Sequence, residues 1–182
     1  MCQALGLAPT AKYQSEGGPS PERIIALIRE AIGPPVAGQE VDRFVDALAL
    51  NWLIAGTDAH AKNYSILLVR GQIRLAPLYD VASSLPYDDM YRPRLRLAMR
   101  IASEYRLEAI TGRHWRAFAT QNGLDPGRTI ERIDDLARRL PEAFRQAAGA
   151  PAVAALGSGL PGRLAEAVEE HARACRGRLA ER

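Results

Sequence analysis

The chain has 182 residues, 47% of them apolar and 25% charged; this suits one packed domain burying about 70% of its unfolded surface and excludes a disordered chain. A formal net charge of only +3, despite a pI near 9.1, leaves little surplus field for a polyanion, so direct nucleic-acid binding is not expected. Cys2 and Cys175 are too few and too far apart for a disulfide framework or zinc site. With no apolar run near the roughly 20 residues of a membrane span and no signal-peptide pattern at the start, a cytoplasmic protein is expected.

Taken in chain order, residues 1–19 read as loop, ending in the breakers Gly17-Gly18-Pro19. Ser20 as N-cap and Pro21 at the first helical position open a helix through Ile32, which Gly33-Pro34-Pro35 stops. From about Gln39 to Gly56, Val41, Phe44, Val45, Leu48, Trp52 and Leu53 recur at helical spacing, with Leu50 and Ile54 adding apolar surface on the other side. A helix this apolar around its circumference is expected to be central.

A polar stretch, Thr57-Asp58-Ala59-His60-Ala61-Lys62-Asn63, follows between two hydrophobic ones. The runs 64–69 and 73–75 then read as a hairpin turning at Arg70-Gly71-Gln72, with glycine supplying the positive φ. Beyond Ala76-Pro77-Leu78-Tyr79-Asp80, a strand is expected at 95–101 and helices at about 113–122, 127–147 and 161–180, with 149–162 as an interhelical loop. The fold class expected is mainly α with a small β-hairpin element, in a single domain over residues 1–182.

Phosphoryl transfer needs a carboxylate near the attacking hydroxyl, oxygen ligands for magnesium and donors for the phosphates. In protein kinases the first two come from a loop ordered Asp, four residues, Asn, and from an Asp after a later hairpin. Asp58 and Asn63 have that spacing, and Asp80 follows a hairpin whose antiparallel path returns the chain towards its start. His60 and Lys62, on the same loop, are candidate contacts to ATP phosphates; a backbone-bonded histidine and a solvated lysine are the alternatives.

The run from Asn51 to Ser65, with its Gly56-Thr57-Asp58-Ala59-His60-Ala61-Lys62-Asn63, resembles the catalytic segment of HipA-type serine/threonine kinases, the toxins of bacterial HipBA modules. The opening Cys2-Gln3-Ala4-Leu5-Gly6 with Lys12-Tyr13, the segment Leu75-Ala76-Pro77-Leu78-Tyr79-Asp80-Val81, and Gly112-Arg113-His114-Trp115 extend the resemblance over roughly residues 1–140. The Asp, His, Asn order is also similar to the loop of phosphoinositide kinases, which leaves the substrate open. The resemblance to HipA kinases implies Asp58 as catalytic base, Asn63 and Asp80 as Mg2+ ligands and His60 as a nucleotide contact. It further implies a kinase-like C-terminal lobe, a protein substrate phosphorylated on serine or threonine, and a HipB-like DNA-binding antitoxin as partner.

The phosphate grip is the missing half. The chain is read as lacking a Gly-x-Gly-x-x-Gly loop and a Walker-type Gly-x-x-x-x-Gly-Lys, and of its two lysines Lys62 belongs to the catalytic loop while Lys12 precedes a loop and a helix. The expectation is an N-terminal lobe absent from these residues, a chain at best a very poor kinase alone, and apolar surface left exposed near Met1. Three readings follow: a fragment of a longer HipA-like kinase, half of a split kinase completed by a separate N-lobe protein, or a non-catalytic remnant that binds an antitoxin or another protein.

Overall fold

In the computed structural model, which describes residues 1–87, 90 and 92–181, local sequence signals set most of the helix limits. Helix α1 (Pro21–Ile32) begins where Ser20 Oγ accepts from the Arg23 amide, and ends at Gly33 with φ 69°. Its Ile24, Ile25 and Ile28 are buried. Helix α2 (Ala37–Leu53) starts two residues before the expected Gln39 and stops three before Gly56. The early stop comes from Ala55, which turns into the left-handed region at φ 52°, while the Gly56 amide closes onto the Asn51 carbonyl at 2.7 Å.

As expected of its apolar circumference, α2 is central, with Val41, Phe44, Ala49, Trp52 and Leu53 inaccessible to solvent. Around it pack α1, strand β2 (Gln72–Leu75), α4 (Pro126–Ala148) and α6 (Leu160–Ala180). Helix α3 (Gly112–Gln121) places Trp115 against Trp52 at 5.8 Å between ring centroids, and Phe118 against Trp115 at 5.9 Å. Arginines pair across helices: Arg128 and Arg132 of α4 with Asp42 and Asp46 of α2, and α4 meets α6 through Arg145–Glu169 and Asp134–Arg176. Such exposed pairs contribute about 0–1 kcal/mol each, so they orient helices whose adhesion is apolar.

Strand β1 (Ile66–Val69) pairs antiparallel with β2, with Val69 opposite Gln72 across a two-residue turn. Both turn residues lie at positive φ, Arg70 at 50° and Gly71 at 77°, so glycine does not carry the left-handed conformation alone. Buried Glu40 of α2 clamps this hairpin: its Oε2 accepts from the Leu75 amide at 3.0 Å and from Arg43, whose guanidinium also donates to the Leu75 carbonyl. Strand β3 (Arg96–Ile101) matches expectation, but its partner β4 (Glu104–Arg106) is too short to show periodicity. The 149–162 segment holds a one-turn helix, α5 (Pro151–Ala154).

One expectation needs correction. Gly157-Ser158-Gly159-Leu160-Pro161-Gly162 does have Gly-x-Gly-x-x-Gly spacing. It runs from α5 into α6 with no preceding strand, so it lacks the strand–turn–helix setting that aims backbone amides at phosphates. Met1 and Cys2 are themselves buried, while apolar surface is exposed beside them on β1, where Leu68 lines a groove together with Met1, Leu27 and Ile73. Among the described residues no helix is long and apolar enough to cross a membrane.

Candidate functional site

The site is built where α2 ends. Gly56 lies so close to α2 that a Cβ there would stand 2.2 Å from Asn51 Oδ1 and 3.2 Å from the Ala82 carbonyl oxygen. Glycine is therefore required here by space, and it lets two chain segments approach. They are stitched by Ser83 Oγ donating to the Ile54 carbonyl at 2.6 Å, the Ser84 amide to the Ala55 carbonyl at 3.1 Å, and Thr57 Oγ1 against Ser84 Oγ at 2.8 Å. The β1–β2 hairpin thus carries the chain out and returns residues 80–84 beside residues 54–63.

That return brings Asn63 and Asp80 together. The Asn63 side-chain amide donates to Asp80 Oδ2 at 2.7 Å and to the Asp80 carbonyl at 3.3 Å. Asp80 sits at φ 54°, a left-handed conformation that Asp tolerates better than most residues but that still costs of order 1 kcal/mol. Asn63 is 5% exposed, and its Oδ1 has no hydrogen-bond partner. A buried amide oxygen without a donor, beside a carboxylate, is an acceptor pair suited to a hard cation. Among the described residues no group of three or more His, Cys, Asp or Glu could hold a metal. Magnesium needs no such group, since it keeps waters and phosphate oxygens in its shell.

Asp58 is solvent-exposed, and its Oδ1 accepts from the Tyr13 hydroxyl at 2.5 Å. No hydrogen bond joins Asp58 to Asn63 or Asp80; what connects them is the loop itself, through the His60 amide to the Asp58 carbonyl at 2.8 Å and the Asn63 amide to the His60 carbonyl at 3.0 Å. His60 is 6% exposed, and its ring meets Tyr13 edge-on at 5.1 Å. Its Nδ1 has no partner, so a histidine satisfied by backbone is not what the fold contains. Lys62 is exposed; its carbonyl accepts from the Tyr79 hydroxyl, which also bonds Ser65 Oγ.

Three residues here, Tyr13, Gly56 and Tyr79, lie in segments that carry the resemblance but are not among the predicted site residues. Tyr13 lies 45 residues before Asp58 in a segment read as loop. Tyr79 and Gly56 flank the predicted residues, but nothing in their spacing announces the contacts they make. The bond from Asp58 to the Tyr13 hydroxyl, followed by burial, pushes the Tyr13 phenol up to about 12.

Residues 1–144 match the HipA-like C-terminal domain family. Y4mE, a provisionally named kinase of Sinorhizobium fredii, is 35% identical over 142 residues, covering 78% of this chain and 33% of that protein. The serine/threonine-protein kinase toxin HipA of Shewanella oneidensis is 28% identical over 156 residues, covering 80% of this chain and 35% of that protein. The chain thus spans about a third of the length of these relatives. In the solved complex of Shewanella oneidensis HipA with HipB and operator DNA, one chain superposes with a TM-score of 0.81 at 24% identity, covering 99% of this chain and 44% of that one. The mainly helical fold with two small antiparallel sheets is therefore that of the corresponding part of HipA, and the chain belongs to the HipA-like C-terminal domain family.

Proposed function

We propose that residues 1–182 form one domain, the catalytic lobe of a HipA-like serine/threonine protein kinase that uses ATP and Mg2+. The observation that carries this reading is the Asn63–Asp80 contact at 2.7 Å, with Asn63 Oδ1 left free, on the loop that bears Asp58. Asp80 and Asn63 would hold Mg2+, which when bound neutralises phosphate charge. Asp58 would take the proton of a protein serine or threonine hydroxyl. The hydroxyl oxygen then bonds to the γ-phosphorus of ATP as the bond to the β-phosphate oxygen breaks, and ADP leaves with that electron pair. His60, with its unpartnered Nδ1, and Lys62 would contact the nucleotide.

The donors that grip the phosphates would come from an N-terminal lobe, in the same polypeptide or in a separate protein. Oriented cations and amides are the main catalytic device of this chemistry, and their loss removes several orders of magnitude of rate. The HipB-bound relative supports a DNA-binding antitoxin as partner and a toxin role within a toxin–antitoxin pair. The net charge of +3 favours contact with DNA through that partner rather than directly.

The test is phosphate transfer from labelled ATP by the two-lobe enzyme carrying this domain. Asp58→Ala and Asp80→Ala are each expected to lower kcat by at least about 10²-fold, within the range of a positioned base or a charge-stabilising group, with unchanged circular dichroism. Full activity in either variant removes that residue from the mechanism.

A further inference from the structure

Tyr13 is held in place more thoroughly than a loop residue needs to be. On one side of it, the Lys12 carbonyl accepts from the Ala61 amide of the catalytic loop at 3.2 Å. On the other, the Gln14 side chain accepts from the Arg100 amide of β3 at 3.0 Å. Its own carbonyl accepts from the amides of Glu16 at 3.0 Å and Gly18 at 2.8 Å. A Cβ on Gly18 would lie 2.6 Å from that oxygen, so only glycine closes this turn as built. The ring is gripped as well, edge-on to His60 at 5.1 Å and with the Lys12 ammonium 4.8 Å from its centroid.

What this framework presents to the site is a single hydroxyl, donated to one oxygen of Asp58. An exposed aspartate otherwise rotates freely about its two side-chain bonds, and a general base must point one oxygen at the proton it removes. We propose that Tyr13 is a positioning residue for Asp58: its hydroxyl holds Oδ1 and leaves Oδ2 to face the substrate hydroxyl. This rests on the reading of Asp58 as the base. The groups around the Tyr13 phenol are Asp58, His60, Lys12 and Glu16, and with the phenol pushed up to about 12 the donor keeps its proton at neutral pH.

Two measurements test it. In this chain, tyrosinate absorbance is followed against pH. Burial also pushes Tyr64 above the ordinary tyrosine value, so Tyr13 is identified by difference: a step near 12 is expected to be lost in Tyr13→Phe and to move towards 10 in Asp58→Asn, while the Tyr64 step stays in both. In the two-lobe enzyme, Tyr13→Phe keeps the ring against His60 and is expected to lower kcat about tenfold or more, part of the roughly 10²–10⁴ that a positioned base supplies, with KM for ATP changed less than about twofold, as for a group acting only in the transition state. Tyr13→Ala, which also loses the ring, is expected to be worse.

The failures are distinguishable. Asp58→Asn with wild-type transfer overturns the base reading and this proposal with it. Loss of transfer in Asp58→Asn with wild-type kcat in Tyr13→Phe overturns the positioning role alone. A Tyr13 titration unmoved by Asp58→Asn overturns the contact itself; because that variant keeps Tyr13, it reads the contact even if Tyr13→Phe fails to fold.

Discussion

Gly56→Ala puts a methyl group where the fold has no room for one. The new Cβ would stand 2.2 Å from Asn51 Oδ1, 3.1 Å from its Cγ and 3.2 Å from the Ala82 carbonyl oxygen. Asn51 cannot swing aside without loss, because its buried amide donates to the Ala47 carbonyl at 2.8 Å and to the Tyr64 hydroxyl at 3.1 Å. Overpacking of this kind costs about 1–3 kcal/mol, and loosening one buried hydrogen bond adds about 1 kcal/mol. A destabilisation of about 2–4 kcal/mol is expected in urea, read from the fluorescence of Trp52 and Trp115, both fully buried. The severe overlap is with Asn51 and only a tight contact with the Ala82 carbonyl remains without it, so in an Asn51→Ala background Gly56→Ala should cost much less, leaving a coupling of at least about 1.5 kcal/mol, within the range for residues in contact. Coupling below about 0.5 kcal/mol, the usual limit of additivity for independent sites, would show that Gly56 is not there to admit Asn51. Asp58 and Asp80 lie two residues from Gly56 and Ala82 respectively, so the variant should also impair phosphotransfer in the two-lobe enzyme.

Isothermal titration of MgATP into this chain alone should show binding far weaker than the roughly micromolar-to-millimolar range usual for substrates; tight binding would mean the phosphate grip lies within these residues. Glu40→Ala should cost about 2–3 kcal/mol, since it orphans the buried Leu75 amide and releases Arg43, and should speed hydrogen exchange across the β1–β2 hairpin; unaltered exchange there refutes the clamp. Burial, followed by the nearby Arg113, holds the His114 imidazole below its ordinary 6.5, and its Nδ1 accepts from the Thr111 amide at 3.2 Å to cap α3. A depressed pKa means that this stability is present above pH 6.5 and lost as pH falls through the lower folded value. The urea midpoint should therefore fall as the pH drops below 6.5, and His114→Gln, which keeps an acceptor without a proton to gain, should reduce that fall; an identical pH dependence in the two proteins refutes the assignment.

The polar loop from Thr57 to Asn63 was legible because its signal is local. Asp58 and Asn63 sit in one polar run between hydrophobic ones, and the hairpin that leads to Asp80 shows in two runs separated by the Arg70-Gly71-Gln72 turn. The Gly-x-Gly-x-x-Gly spacing at 157–162 stands in the sequence although the chain is read as lacking it, and what separates it from a phosphate loop is that no strand precedes it. Whether Asn63 meets Asp80 depended on how the hairpin returns, which no spacing states.

Caps, turns and helical periodicity act over one or two turns of chain, so residues 20–33, the apolar circumference of α2 and the limits of α3, α4 and α6 were determined by the sequence itself. Contacts between distant segments leave no such mark. Tyr13 on Asp58, Glu40 under Leu75, Ser83 against Ile54 and the arginines that pair α4 with α2 and α6 became visible only once the core had packed. The physical reason is that a hydrogen bond costs a residue nothing in its local preferences, so a tyrosine in a loop looks the same whether it faces water or a carboxylate.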